Sequence, residues 1–171
     1  MSKIYVDEIL PKDNATVDGS KLSALPTSGM PTGSVLQVVQ SYNDTSRDQI
    51  SATSWTATSF SASITPSSTS SKILATIDFG INDNTTSDVI CVTSIFRGST
   101  NLGNSTYGLA KHRCTTSRLE GKYTITYLDS PSTTSSTTYT LYLKNISGSG
   151  TMEVPGTIGV PTVVTLMEIA G

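Results

Sequence analysis

The chain has 171 residues and carries 11 Lys and Arg against 13 Asp and Glu, so its formal net charge at pH 7 is −2. This balance argues against a nucleic-acid-binding protein, because phosphate recognition depends on an excess of Lys and Arg. No stretch approaches the roughly 20 apolar residues that a membrane span needs. The sequence contains 27 Ser and 28 Thr, and Thr in particular suits the polar outer face of a pleated sheet.

The first 33 residues differ in composition from the rest. Apolar residues cluster near the start, and a stretch rich in Pro, Gly and Ser runs from Gly19 to Gly33. Such a stretch predicts an extended connector. We therefore expect residues 1–33 to be an arm and linker that dock on another protein, ahead of a single domain at residues 34–171. The alternative is that the arm folds back as an edge strand of its own domain. The predicted docking residues are Ile4, Tyr5, Val6, Ile9 and Leu10.

Beyond the linker, apolar and polar residues alternate with the period of a β-strand. The clearest segment, Lys72–Ile81, places Ile73, Ala75, Ile77, Phe79 and Ile81 on one face, with Leu74 as the exception on the other. Alternation of this kind predicts a half-buried strand of an antiparallel sheet. Further predicted strands are Val35–Gln40, Phe60–Ile64, Val89–Arg97, Lys122–Leu128, Thr137–Lys144 and Thr162–Ile169, with a weaker candidate around Tyr107–Lys111.

Turn-forming clusters separate these strands and no helical periodicity accompanies them. Examples are Asn43-Asp44-Thr45, Asn82-Asp83-Asn84 and Asp129-Ser130-Pro131, and the segment Arg97–Gly103 reads as a tight turn between two strands. Many short strands with turn signals between them predict an all-β fold, an antiparallel β-sandwich or jelly roll.

Candidate chemistry is sparse. His112 is the one histidine in the sequence, two residues before Cys114, so the two would share a face of a strand. No Gly-x-Ser-x-Gly elbow is present, and a structural role is the preferred interpretation of His112. The chain is therefore expected not to be an enzyme, with no catalytic residues. Cys91 and Cys114 could pair, but a buried thiol at Cys91 is favoured in a chain without a secretion signal.

Metal and cofactor sites are not expected either. The segment 78–88 offers the oxygen ligands that calcium prefers, in Asp78, Asn82, Asp83, Asn84 and Asp88. These residues lack the EF-hand spacing and are also common turn formers, so we interpret the segment as a structural turn.

Several phrases resemble marine tailed-phage virion proteins. They include the opening Ser2–Ile9, the segments Gly33–Val39, Ser61–Pro66, Ser70–Leu74 and Phe96–Thr100, and the ending Val164–Ile169. The resemblance implies a trimeric head domain of jelly-roll type (TNF/C1q-like), carried at the virion surface by an N-terminal segment after synthesis in the host cytoplasm. The leading expectation is a short tail fibre or spike. The alternatives are a capsid decoration protein or a carbohydrate-binding lectin-like module.

The same resemblance sets the expected partners. They are further copies of the chain, another virion protein bound through residues 1–33, and a host surface glycan or protein, without nucleic acid or membrane insertion. Tyr142 lies on the strand face opposite Tyr139, Leu141 and Leu143. Because tyrosine can fill an interface while its hydroxyl stays hydrogen-bonded, Tyr142 is the candidate subunit contact. The alternative is a partly exposed surface tyrosine.

Overall fold

The computed structural model describes residues 30–83, 89–114, 120–147, 150–155 and 160–171, without the side chains of Asp83 and Cys114. All regular structure within these ranges is β-strand. The strands are β1 (Val35–Asn43), β2 (Asp48–Ile50), β3 (Thr56–Ile64), β4 (Lys72–Asp83), β5 (Val89–Arg97), β6 (Thr100–Asn101), β7 (Ala110–Cys114), β8 (Glu120–Asp129), β9 (Thr137–Asn145), β10 (Met152–Val154) and β11 (Thr162–Ile169).

The strands form two antiparallel sheets. In the first sheet, β11 and β8 flank β4, and β1 pairs with the outer edge of β11. The short strands β10 and β2 extend the same sheet beyond the end of β11. In the second sheet the order is β3, β9, β5, with β6 and β7 both paired with the remaining edge of β5.

This order is that of a jelly roll. The eight main strands alternate between the sheets as β1-β11-β4-β8 and β3-β9-β5-β7, so consecutive strands such as β3, β4 and β5 lie in different layers. Two interleaved four-strand layers of this kind make up the double-sheet jelly roll. The predicted antiparallel sandwich is therefore confirmed.

The core lies between the two sheets and follows from the period of two. On β4, Ile73, Ala75, Ile77 and Phe79 have no exposed surface. On the facing sheet, Tyr139, Leu141 and Leu143 of β9 are equally buried. Because alternate side chains of a strand point to opposite faces, the intervening residues form the outer faces, and these carry the surfaces described below.

Two local predictions need correction, and some short strands were not predicted. β4 continues to Asp83, so Asn82 and Asp83 belong to a strand and not to a turn. The strand expected around Tyr107–Lys111 begins only at Ala110, because Tyr107 lies in a loop. The strands β2 and β10 were not predicted, since three residues are too few to show a periodic pattern.

Candidate functional site

The histidine is buried against aromatic and hydroxyl side chains. His112 is 8% exposed and faces the core from β7. Its ring centroid lies 4.0 Å from that of Tyr123, and its Nε2 is 3.5 Å from Thr93 Oγ1. Burial lowers the pKa of His112, which favours the neutral ring. These contacts give the imidazole a packing role, and they include the Thr93 hydroxyl but no carboxylate that would orient the ring.

The buried carboxylates are held by hydrogen-bond donors. Asp129 accepts from Arg97 Nη1 at 2.9 and 3.0 Å and from the Tyr139 hydroxyl at 2.8 Å. Glu153 forms an ion pair of 2.8 Å with Arg47. Carboxylates held by such charged and hydroxyl donors act as structural anchors between the segments that they join.

Glu168 is the most enclosed of these acids and has no exposed surface. It accepts hydrogen bonds from Gln37 Nε2, the Ser67 backbone and hydroxyl, and Ser71 Oγ at 2.6 to 2.7 Å. Burial alone would raise the pKa of the carboxyl, but these donors outweigh it and the net pKa is lowered. Glu168 thereby joins β1, β11 and the β3–β4 connection.

Two of the side chains suggested as calcium ligands, those of Asp78 and Asn82, are described, and they do not lie together. Asp78 pairs with Lys122 at 2.9 Å, and Asn82 donates to Glu153. The two side chains are four residues apart along β4, a separation of about 13 Å. Asn84, Asp88 and the Asp83 side chain lie outside the described residues. Within the described ranges no group of three or more His, Cys, Asp or Glu could hold a metal ion.

The outer face of the first sheet carries an apolar row. Val38 of β1 stands opposite Met167 of β11, Met167 opposite Leu74 of β4, and Leu74 opposite Leu128 of β8. Val38 is 55% exposed and Leu128 is 50% exposed. Val35 and Ile169 are also paired and lie beside the row. We call these six residues the apolar strip.

Polar residues border the apolar strip. The next row across the sheet consists of Gln40, Thr165, Thr76 and Thr126, in which the last two hydroxyls are 3.2 Å apart. Beyond it lies the Asp78–Lys122 ion pair. An apolar centre with a polar margin is the usual anatomy of a protein interface.

The outer face of the second sheet carries a different surface, built around a loop. The Asn101 side chain accepts from the Gly103 backbone, and Asn104 Oδ1 accepts from the backbones of Thr106 and Tyr107. These bonds shape the loop 103–108 between β6 and β7. The loop covers Trp55, whose indole nitrogen donates to the Ser105 carbonyl at 2.9 Å.

Aromatic and basic side chains meet beside this loop. Phe96 stacks on Tyr142 with centroids 3.9 Å apart and lies 5.6 Å from Trp55. Lys144 Nζ is 4.8 Å from the Trp55 ring centroid, and Lys111 Nζ is 5.2 Å from that of Tyr107. Tyr107 is 50% exposed and Trp55 is half-buried. We call Trp55, Tyr107, Lys111 and Lys144 the aromatic–basic surface.

The other predicted site residues stay predictions. Tyr142 lies on the outer face of its sheet and packs on Phe96 within the chain, so its role as a subunit contact stays a prediction. The arm residues Ile4, Tyr5, Val6, Ile9 and Leu10 lie outside the described residues, so the predicted docking role is untested. Cys91 is buried, whereas the Cys114 side chain is not described.

The apolar strip and the aromatic–basic surface were both missed by sequence reasoning. Leu74 did break the alternation of its strand, and Leu128, Val38 and Met167 are also large apolar residues on outer faces. Each of these deviations is weak alone. They form one row only through the register of four strands, which no local pattern reveals.

Similarity to known proteins is found in structure and not in a sequence family. No family model matches the sequence, and no curated protein matches it significantly. Among solved structures, the chain is similar to one described as the structure of infectious bursal disease virus, Gx strain, with 14% identity and a TM-score of 0.31. The similarity covers 82% of this chain and 41% of the viral chain, so this chain spans less than half of that protein. No helix long and apolar enough to cross a membrane occurs among the described residues.

Proposed function

We propose that the chain is a non-enzymatic structural protein of a bacteriophage virion, a homotrimer of tail-fibre or spike type that exposes its β-sandwich head at the particle surface. The observation that carries the assembly is the apolar strip. The virion context is supported by the sequence phrases Ser2–Ile9 and Gly33–Val39 and the others that resemble phage proteins.

We propose that the apolar strip is covered by the same face of two further copies of the chain. Val38, Leu128 and Val35 are each about half exposed, and the charged Lys72 stands at the margin of the strip, opposite Ile169. A face of four strands, eight residues long, covers roughly 500 Å². Two such faces together approach the roughly 1,200 Å² of the smaller specific interfaces. Three strips around one threefold axis would remove this apolar surface from water.

The non-enzymatic part of the proposal is supported by the state of the candidate groups. His112 packs against Tyr123, and the carboxylates of Asp129, Glu153 and Glu168 are occupied by donors. Residues 1–33 are proposed to dock on a neighbouring virion protein. Particles assemble in the host cytoplasm, and the head then faces outward.

The assembly is tested by Leu128→Glu, which places a charge at the β8 end of the apolar strip. We expect the parent chain to have three times the 18.0 kDa chain mass in light scattering, and the variant to be a folded monomer. Ser63→Glu is the control, because Ser63 is exposed on the outer face of the other sheet and pairs with Thr138, away from Tyr142. A parent chain that is monomeric, or a Leu128→Glu variant that remains trimeric, contradicts the proposal.

A capsid decoration protein is the alternative, and the apolar strip suits it equally well. Mass spectrometry of purified particles separates the two. Hundreds of copies per particle indicate decoration of the shell, whereas a few to some dozens indicate a tail fibre. Absence from particles contradicts both.

A further inference from the structure

We propose that the aromatic–basic surface binds an acidic glycan, with aromatic rings contacting sugar rings and Lys111 and Lys144 pairing with sugar carboxylates. This inference concerns the second sheet and does not depend on assembly through the apolar strip. It is argued from the exposure, the charge and the rigidity of the surface.

The two lysines are the first observation. Lys111 Nζ lies near Tyr107 and Lys144 Nζ near Trp55, and neither forms an ion pair with a described carboxylate. Of the other two described lysines, both on the first sheet, Lys122 pairs with Asp78 and Lys72 is exposed. Ammonium groups that lie near aromatic rings stay charged and can still pair with an anion.

The spacing of the lysines indicates an extended ligand. Lys111 and Lys144 both stand opposite Val92, on the strands that flank β5. Their backbones are therefore about 10 Å apart, two strand spacings. Both lie on the outer face, which is the same side as Tyr142 and Phe96. A chain of sugars with repeated carboxylates spans this distance.

The aromatic rings are the second observation. Tyr107 lies in a loop with internal hydrogen bonds, and its side chain is nevertheless 50% exposed, so its ring is accessible to a ligand. Trp55 is fixed by the bond from its indole nitrogen to Ser105. Rings held in place lose little conformational entropy on binding. Tyrosine and tryptophan combine an apolar face with a polar edge, which matches a sugar ring.

The loop supplies polar groups around these rings. Ser105 and Thr106 are exposed, and Asn104 orders the loop by accepting from the Thr106 and Tyr107 backbones. The hydroxyl groups of the loop can exchange hydrogen bonds with sugar hydroxyls without a large conformational change. The surface therefore has aromatic, cationic and hydroxyl groups in one rigid patch.

Tryptophan fluorescence provides a direct test, because Trp55 is the only tryptophan in the sequence. The probe is trigalacturonate, and its trimethyl ester serves as the uncharged match. We expect trigalacturonate to change the Trp55 emission with saturation, and to bind about tenfold more tightly than the ester. Added salt should lower the affinity for trigalacturonate, because exposed charge pairs are screened.

Substitutions then locate the site. Lys111→Gln and Lys144→Gln should each weaken trigalacturonate binding about fivefold, and Tyr107→Ala should weaken both the acid and its ester by a similar factor of about five. Lys122→Gln and Tyr42→Ala are the matched controls on the first sheet and should leave binding unchanged. Tyr42 is 60% exposed, comparable with Tyr107.

Three outcomes overturn the inference. They are the absence of any saturable response to trigalacturonate, equal affinity for the ester, and equal affinity for hexaglutamate, which would show a response to charge alone. Each measurement uses the isolated protein and a monovalent ligand. Failure here therefore leaves the virion proposal intact, and absence from particles leaves the glycan inference intact.

Discussion

At the scale of single residues, the buried polar groups make the stability of the protein depend on pH. Glu168 is the clearest case, because four hydrogen bonds from three residues converge on a carboxylate without exposed surface. Its lowered pKa means that the folded chain binds a proton less readily than the unfolded chain does. Stability from this group is therefore present above the unfolded pKa of Glu and is lost as the pH falls through the folded value.

Replacing Glu168 by Gln tests this role. The amide oxygen of Gln can replace only one carboxylate oxygen, so its nitrogen would face either Gln37 or the donors of Ser67 and Ser71. We therefore expect a loss of about 2 kcal/mol in the free energy of unfolding near pH 7. Urea denaturation measures it, and the difference from the parent should shrink below about pH 4. A constant difference at all pH values would show that the charge of Glu168 is unimportant.

His112 has a separate pH window. Its pKa is lowered by burial, so the unfolded chain takes up a proton near pH 6.5 while the folded chain still resists it. Stability should be complete above this value and fall by about 1 kcal/mol between about pH 7.5 and pH 5.5. His112→Gln should remove most of that slope in urea denaturation. A parent chain with equal stability at both pH values would contradict the prediction.

At the scale of elements, the loop 103–108 depends on one glycine. Gly108 has a φ of 63°, and a Cβ there would meet the Thr93 carbonyl oxygen and lie 2.7 Å from Trp55 Cη2. Gly98 has a comparable φ of 54° but no atom within 4 Å of such a Cβ. The two positions therefore separate the cost of the backbone conformation from the cost of a steric clash.

Alanine at both positions measures the difference. Gly98→Ala should lower the free energy of unfolding by about 1 kcal/mol, because alanine is strained in the left-handed conformation. Gly108→Ala should lower it by more than about 2 kcal/mol, because a steric clash is added, and should change the Trp55 emission. Urea denaturation followed by fluorescence gives both quantities. Similar decreases in the free energy of unfolding for the two variants would mean that the loop can move to avoid the clash and does not fix the position of Trp55.

The same elements show what the sequence can and cannot predict. Alternation identified the strands containing Phe60, Ile77, Ile125 and Leu141, because one buried face imposes a period of two on each. It placed Tyr107 wrongly in a strand, since the turn there is formed by bonds to the Asn104 side chain rather than by Gly or Pro alone. Local patterns also could not bring Trp55 beside Tyr107 and Lys144, which are distant in sequence and meet only after the sheets assemble.

At the scale of the whole molecule, backbone hydrogen bonds join the beginning and the end of the described body. The Gly33 backbone donates to the Ala170 carbonyl, and Ala170 donates back to Ser34, both at 2.8 Å. The body therefore has its own backbone pairing from residue 33 onward. This pairing argues that the sandwich can be separated from the preceding segment.

Deleting residues 2–29 tests the independence of the head and the docking role of the arm. We expect the shortened chain to keep its β-sheet circular dichroism and its oligomeric mass, because no described contact is removed. It should no longer be incorporated into particles. The matched variant carries Gly-Ser repeats in place of the Gly19–Gly29 linker and should still be incorporated. A shortened chain that joins particles normally would contradict the docking role of the arm.

The position of β1 has a consequence for synthesis. Among the described strands β1 pairs only with β11. In this pair Val38 stands opposite Met167. During translation the nascent β1 leaves the ribosome long before its partner strand exists, so its apolar side chains remain unprotected until the final strand emerges. Because sandwich topologies with such distant pairings fold slowly, we expect production of the protein to respond to chaperone supply and to slower growth at low temperature.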